Sequence, residues 1–228
     1  MRLNETVILL HGLNRTSRSF SKMEEALIEN GYKVINVNYS SKHFKIESLV
    51  RRYVAPSINA CEKQPNVKIH FVTHSMGGIL LRYYLKHYTI ANLGNVVMLG
   101  PPNQGSEVVD KLKKVPGFKL LNGPAGQQLG TTLISLPQQL GPVDYSVGVI
   151  AGNRSINPIL SGLIPGENDG KVSLKRAKVK GMSDFLVMPY THTMIMRRQR
   201  VIEQTQYFLK NSQFESLYYR NEEAVINE

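Results

Sequence analysis

Residues 67–78, VKIHFVTHSMGG, join a strand pattern to a helix pattern with a serine between them. The first seven residues are rich in β-branched and aromatic side chains, which is typical of a buried strand. Two glycines follow Ser75 after one residue, and small residues permit the close backbone approach of a sharp strand-to-helix turn. The stretch therefore predicts that Ser75 projects above the end of a strand as a nucleophile; the simpler alternative is a helix N-cap.

Strands and helices alternate on both sides of this stretch. The predicted strands are 6–10, 32–39, 67–73, 95–99, 144–151 and 184–188. The predicted helices are 19–30, 47–61 with a kink or break at Pro56, 76–87 and 193–209. Because strands that alternate with helices build βαβ units, we expect an α/β fold with a mostly parallel central sheet of about six strands flanked by helices. Ligands of such sheets bind at the carboxyl ends of the strands.

The chain has 228 residues, which predicts one domain, here 1–210, followed by an acidic tail at 211–228. Residues 101–142 interrupt the alternation, since they hold six glycines and six prolines with only a short amphipathic piece at 108–115. A connection of this length usually has a function, so the segment is expected to be a lid or pocket wall. An insertion without function is the alternative.

Charge and composition narrow the choice of partners. Lys and Arg number 28 against 17 Asp and Glu, which gives a net charge of +11. The basic residues are scattered and no nucleic-acid-binding motif is present, so we expect no nucleic acid partner and at most a weak association with anionic membrane surfaces. The sequence does not indicate an oligomeric state.

Cysteine usage and the N-terminus bear on cofactors and localisation. Cys61 is the single cysteine, so neither an internal disulfide nor a cysteine-based zinc cluster is possible. No metal-binding or phosphate-binding motif occurs, and the expectation is no metal and no cofactor. The apolar run 7–10 is too short for the core of a signal peptide, which favours a cytoplasmic location.

Taken together, the motifs resemble the α/β-hydrolase superfamily, and within it the small bacterial lipase/esterase-like serine hydrolases. The resemblance spans roughly residues 6–209. It rests on LLHGL at 9–13, THSMGG at 73–78, GPPNQGS at 100–106, GENDGKVS at 166–173 and YTHT at 190–193. One departure is Thr73, which stands where the G-x-S-x-G pattern of the family has its first glycine.

This resemblance implies a set of site residues. Ser75 is the expected nucleophile, His192 the base and Asp169 the acid, in the chain order of the superfamily. Glu167 is the reserve acid, and Asn168-Asp169-Gly170 also reads as a plain turn. The backbone N–H groups of Leu13 and Met76 are the expected oxyanion-hole donors. His74 is expected to point elsewhere, and His11 to be structural.

The implied activity is hydrolysis of a carboxylic ester through an acyl-enzyme on Ser75. The expected substrate is a small-molecule or lipid ester, and the binding residues for it are not assigned. Apolar side chains of the 101–142 segment suit an acyl chain, namely Val108, Val109, Leu112, Leu120, Leu121 and Leu129. Two alternatives stay open: an acyltransferase or amidase with the same triad, and a non-catalytic module that binds lipid or anionic surfaces.

Overall fold

Six strands form one parallel sheet with the order β2-β1-β3-β4-β5-β6 in the computed structural model, which describes residues 4–216 apart from the side chain of Leu160. The strands are β1 (Glu5–Leu10), β2 (Lys33–Val37), β3 (Lys68–His74), β4 (Leu93–Leu99), β5 (Val147–Gly152) and β6 (Asp184–Met188). The predicted α/β fold with a parallel six-stranded sheet is confirmed. The second strand is shorter than the predicted range 32–39.

Helices connect the strands and cover both faces of the sheet. They are α1 (Ser21–Glu29), α2 (Ile46–Leu49), α3 (Ala55–Glu62), α4 (Met76–His87), α5 (Glu107–Leu112), α6 (Phe118–Gln127), α7 (Leu136–Gln139), α8 (Pro158–Gly162), α9 (Leu174–Ala177) and α10 (Gln199–Asn211). The last helix begins at Gln199 and not at residue 193, because a 3₁₀ turn, Ile195–Arg197, precedes it.

The predicted helix 47–61 is divided, although not by a simple kink at Pro56. A π-helical turn, Val50–Val54, separates α2 from α3, and Pro56 lies in the first turn of α3. Proline has no N–H to donate to the fourth residue before it, so the regular bonding pattern cannot continue through this point. The wider turn just before Pro56 accommodates the missing bond.

The sheet is buried on both faces, and successive residues of β1 point to opposite sides of it. Ile8 and Leu10 pack with side chains of α2, α3 and α4. Val7 and Leu9 pack with side chains of α1 and α10. Strands covered on both faces are typically near-continuous apolar runs, which explains the run at 7–10.

The segment 101–142 contains more helix than its sequence pattern predicts. It holds α5, α6 and α7, whereas only a piece at 108–115 is recognisable from the sequence. Gly123 interrupts α6 with φ +62°, directly before Pro124. A side chain at Gly123 would collide with the backbone oxygen of Lys42, so the glycine lets α6 cross the loop that follows β2.

The first residues after α10 remain packed on the sheet. The ring of Phe214 lies 4.9 Å from the ring of Phe208 and is buried. Residues 217–228 of the predicted tail lie outside the described residues. Within residues 4–216, no helix combines the length and apolarity needed to cross a membrane.

Candidate active site

Ser75 lies on the sharp turn between β3 and α4, at the carboxyl edge of the sheet. Its backbone has φ 53° and ψ −122°, a region that non-glycine residues rarely adopt. Such strain costs about 1–3 kcal/mol and persists only where the surroundings enforce it. The Ser75 N–H donates to the Leu99 oxygen at 2.9 Å, and the Ser75 oxygen accepts from Gly78 N–H at 3.0 Å. These bonds hold the turn in place.

Glycines around Ser75 make the turn possible. A Cβ at Gly77 would lie 2.1 Å from the backbone oxygen of Leu10, so α4 can approach β1 only because this position has no side chain. At Gly78 a Cβ would lie 3.3 Å from the Thr73 hydroxyl. The second glycine therefore gives room to Thr73, which replaces the first glycine of the family pattern.

Three side chains from distant loops meet at this turn. The Ser75 hydroxyl lies 2.9 Å from His192 Nε2, and His192 Nδ1 lies 2.7 Å from Asp169 Oδ2. Because a carboxylate only accepts hydrogen bonds, Nδ1–H donates to Asp169, and Nε2 is free to accept the Ser75 proton. His192 and Asp169 are both buried. The structure thus brings the three predicted residues together in hydrogen-bonding order; their catalytic roles stay predictions.

The loop of Asp169 fixes the direction of its carboxylate. Asp169 Oδ1 accepts from Lys171 N–H at 2.9 Å and from Val172 N–H at 2.8 Å, which leaves Oδ2 for His192. The His192 N–H in turn donates to the Asp169 backbone oxygen at 3.0 Å. Gly100, at φ +54°, borders the pair, and a Cβ there would lie 3.0 Å from Asp169 Oδ2.

The reserve acid, Glu167, does not reach His192. Its side chain is exposed and accepts a hydrogen bond from Asn153 Nδ2 at 3.1 Å. The geometry therefore favours Asp169 over Glu167 as the partner of His192.

Both expected oxyanion donors border Ser75. Met76 is the first residue of α4, and Leu13 lines the same cavity as Ser75 and His192. Gly12 keeps the Leu13 loop close, since a Cβ at Gly12 would lie 3.0 Å from Ser75 Cβ. Met76 is at the first position of α4, where an N–H has no partner within the helix. Among residues 4–216, the Leu13 N–H meets no acceptor in the turns and loops. Two free donors beside Ser75 are what a tetrahedral oxyanion requires.

His11 supports the Leu13 loop through hydrogen bonds of its ring. Its Nδ1–H donates to the Gly12 oxygen at 2.9 Å, and its Nε2 accepts from Tyr39 N–H at 3.3 Å. The ring stacks on Tyr39 at 3.8 Å, and the Tyr39 hydroxyl donates to the His11 oxygen. Burial lowers the pKa of His11, which keeps the ring neutral. These contacts indicate a structural role for His11.

His74 belongs to the site, contrary to the expectation that it points elsewhere. Its Nε2–H donates to the backbone oxygen of His192 at 2.9 Å, and the two rings lie 4.9 Å apart. The Nδ1 atom faces Gly12, where a Cβ would lie only 2.8 Å away. Burial and the charge of a protonated His192 hold the pKa of His74 well below 6.5. A neutral ring thus links the Ser75 turn, the His192 loop and the Leu13 loop.

An apolar cavity of about 270 Å³ opens beside Ser75. Five of the six predicted wall residues line it: Val108, Val109, Leu112, Leu121 and Leu129. The sixth, Leu120, does not, because its side chain points to solvent with 85% exposure. Phe118 and Val172 also line the cavity, and neither was predicted from the sequence. Their positions depend on α6 and on the Asp169 loop, neither of which the periodicity of the chain reveals.

Comparison with known proteins places this geometry in context. The family model described as "Palmitoyl protein thioesterase" matches residues 6–138, more than half of the chain. No curated protein matches significantly.

Among solved structures, the mature lipase BlEst2 of Bacillus licheniformis is 19% identical, with 91% of each chain covered and a TM-score of 0.72. The monoacylglycerol lipase of Paleococcus ferrophilus is 15% identical, with 91% of this chain and 93% of that chain covered and a TM-score of 0.56. Phospholipase PlaB of Legionella pneumophila, in complex with thio-NAD, is 16% identical, with 76% of this chain and 44% of that chain covered and a TM-score of 0.62. At these identities the likeness shows a shared α/β-hydrolase fold.

Proposed function

Because the chain belongs to the palmitoyl protein thioesterase family, we propose that it is a serine hydrolase that cleaves acyl esters of lipids or small molecules through an acyl-enzyme on Ser75. The observation that carries the proposal is the hydrogen-bonded chain from Ser75 through His192 to Asp169, at 2.9 Å and 2.7 Å. A serine hydroxyl becomes a useful nucleophile when such a base is aligned with it. The free N–H groups of Leu13 and Met76 support the same reaction.

In the acylation step, the Ser75 hydroxyl oxygen attacks the carbonyl carbon of the substrate while His192 Nε2 takes its proton. Asp169 stabilises the resulting imidazolium and keeps the ring in the productive tautomer. The oxyanion accepts hydrogen bonds from Leu13 and Met76, and each such donor contributes about 3 kcal/mol to the stability of the transition state. His192 then protonates the leaving oxygen or sulfur, and the acyl group stays on Ser75.

In the deacylation step, a water gives its proton to His192 and attacks the acyl carbon. The tetrahedral intermediate collapses, the Ser75 oxygen takes the proton back, and a carboxylic acid leaves. The protein contributes Ser75, His192, Asp169 and the two backbone N–H donors to these steps, and the solvent contributes the water.

The apolar cavity beside Ser75 supports an acyl chain as the group that is transferred. Apolar side chains of α5, α6 and the loops beside them form most of its wall, and burying each methylene of a substrate chain there contributes about 0.8 kcal/mol. This observation favours a lipid-like acyl group over a polar one.

The proposal is tested with p-nitrophenyl esters and a fluorophosphonate probe. The unaltered protein is expected to hydrolyse the esters and to be labelled, whereas Ser75→Ala does neither and keeps its melting temperature. Ser57→Ala is the matched control, because Ser57 lies on α3 and its hydroxyl only donates to the Tyr53 backbone at 2.8 Å. Labelling of Ser75→Ala, or an inactive Ser57→Ala, would contradict the assignment.

A thioester is the second candidate substrate, and the description of the matching family favours it. The two candidates are distinguished by measuring kcat/KM for an ester and a thioester that share the same acyl chain.

Product analysis with added alcohol or amine distinguishes hydrolysis from acyl transfer. Liposome binding without any Ser75-dependent turnover would instead support a non-catalytic lipid-binding module.

A further inference from the structure

A second cleft lies next to the candidate active site, at the carboxyl ends of β1 and β2. It has a volume of about 650 Å³, which is within the range of small-molecule sites. The loops after β1 and β2 form its walls, and Arg197 reaches it from the 3₁₀ turn that follows His192. We call it the basic cleft, because Arg15, Arg18, Lys42, His43 and Arg197 line it.

Within residues 4–216, no acidic side chain neutralises the positive charge of the basic cleft. None of the described residues that line it is Asp or Glu. The ion pairs formed within residues 4–216 use other cations than Arg15, Arg18, Lys42 and Arg197. Cationic side chains gathered in a concave surface focus a positive potential and attract anions. Three of the cations are arginines, whose planar guanidinium groups match the oxygens of a phosphate.

The basic cleft and the apolar cavity adjoin at the loop that follows β1. The cavity is walled by α5 and α6, and the cleft by the loops after β1 and β2. The helix α6 also packs on the loop after β2, where a Cβ at Gly123 would meet the backbone oxygen of Lys42. Leu13 lines the cavity and the next residue, Asn14, lines the cleft, so the two adjoin at the expected oxyanion loop.

The charge of Arg15 reaches the site itself. Besides burial and His192, the positive charges of Lys171 and Arg15 lower the pKa of His74. Arg15 is half-buried, in contrast to the exposed Arg18 and Arg197. Lys171 lines the apolar cavity, whereas Arg15 lines the basic cleft, so the part of a substrate that extends past the Leu13 loop meets the positive charge of the cleft.

We propose that the basic cleft binds an organic phosphate carried by the leaving group of the substrate. This inference rests on the proposed function, and it specifies the alcohol or thiol side of the same reaction. The preferred substrates are then acyl esters or thioesters whose alcohol or thiol bears a phosphate. Hydrolysis adds one water and releases the carboxylic acid and the intact phosphate-bearing alcohol or thiol, so the phosphate ester bonds are not broken.

The test compares substrates that share one acyl chain and differ in the leaving group. The phosphate-bearing substrates are 1-acylglycerol 3-phosphate and the acyl-coenzyme A thioester; the neutral ones are the monoacylglycerol and the p-nitrophenyl ester. The variant carries Arg15→Gln, Arg18→Gln and Arg197→Gln, and Lys22→Gln on the exposed surface of α1 is the control. All proteins are first shown to have equal melting temperatures.

The triple variant is expected to lose its preference for phosphate-bearing substrates and to keep its activity on the neutral ones. Since an exposed ion pair contributes roughly two- to threefold, the triple variant should lower the ratio of kcat/KM for phosphate-bearing over neutral substrates about tenfold. Lys22→Gln should leave the ratio unchanged. A loss confined to the glycerophosphate substrate identifies a lipid headgroup as the source of the phosphate, and a loss confined to the thioester identifies a nucleotide-containing thiol.

A binding measurement keeps the inference separate from the proposed function. Ser75→Ala, which cannot turn over, is titrated calorimetrically with glycerol 3-phosphate, with coenzyme A and with phosphatidylglycerol vesicles. Saturable binding of either that the three Arg→Gln changes weaken about tenfold supports the inference even if no ester is found to react. An unchanged ratio in the kinetic assay, no binding of either compound, or binding only to phosphatidylglycerol vesicles would overturn it. Absence of any Ser75-dependent hydrolysis would instead overturn the proposed function.

Discussion

The size of the apolar cavity predicts how the rate depends on the acyl chain of the substrate. The cavity holds about 270 Å³, which at roughly 30 Å³ per water equals about nine water volumes. A methylene group is close to a water in size, so the cavity accommodates a chain of about eight to ten carbons. Longer chains must extend past Leu121, which is 62% exposed at the rim.

The expected gain in kcat/KM per added carbon follows from the transfer of each methylene out of water. Burial contributes about 0.8 kcal/mol per methylene, which corresponds to about fourfold in kcat/KM. We therefore expect kcat/KM for p-nitrophenyl esters to rise about fourfold per added carbon up to about eight to ten carbons, and then to level off. Monomeric substrate, below the concentration at which micelles form, keeps the assay interpretable.

A variant that fills the cavity tests the same reasoning. Val109 is buried and lines the cavity, so Val109→Trp should move the maximum to shorter chains without lowering the rate on acetate esters. Leu120→Trp is the matched control, since Leu120 points to solvent and does not line the cavity. A maximum at two carbons in the unaltered protein, or the same chain-length profile in Val109→Trp, would refute the assignment of this cavity to the acyl chain.

Three further predictions concern the groups around Ser75. Asp169→Asn should lower kcat by roughly 10³–10⁴-fold, since His192 loses its oriented tautomer. Glu167→Gln should change kcat little. The reverse order of the two variants in steady-state kinetics would make Glu167 the acid. Because the pKa of His74 is depressed in the folded state, its stabilising contribution is complete above pH 6.5 and is lost as the pH falls below it. Urea unfolding should therefore show a larger loss of unfolding free energy between pH 7.5 and pH 5.5 in the unaltered protein than in His74→Gln, which keeps only the contributions of the other buried histidines. Parallel profiles of the two proteins would contradict a neutral buried ring. Gly77→Ala should lower the free energy of unfolding by about 1–3 kcal/mol, since its Cβ would lie 2.1 Å from the Leu10 oxygen. Gly78→Ala should cost less, because the nearest atom to its Cβ is at 3.3 Å. A Gly77→Ala protein as stable as the unaltered protein would show that the turn tolerates a side chain.

The sequence was sufficient for the parts of the fold that depend on local pattern. Buried parallel strands such as 7–10 and 96–99 are continuous runs of apolar and β-branched residues, and their order with the intervening helices determines the fold class. The positions of Ser75, Asp169 and His192 followed because short motifs mark the ends of three different strands or the loops after them. Parallel strands end at one edge, so these loops were bound to be neighbours.

Features that depend on contacts between distant loops were not predictable in this way. His74 adjoins Ser75 in sequence, but its role depends on the backbone oxygen of His192, 118 residues away. The helices of 101–142 are short and rest on tertiary contacts, such as the bond from Ile46 N–H to Gln128 Oε1 at 2.8 Å, so they show no clear periodicity. The basic cleft likewise gathers charges from three separate loops that look scattered along the chain.

The most direct test of the account is to stop the reaction with a p-nitrophenyl acyl ester in acid within the first turnover and to locate the acyl group by peptide mass spectrometry. The account predicts one acyl adduct, on the hydroxyl of Ser75, that disappears on longer incubation as the acid is released. An adduct on another side chain, or turnover by Ser75→Ala at the rate of the unaltered protein, would contradict it.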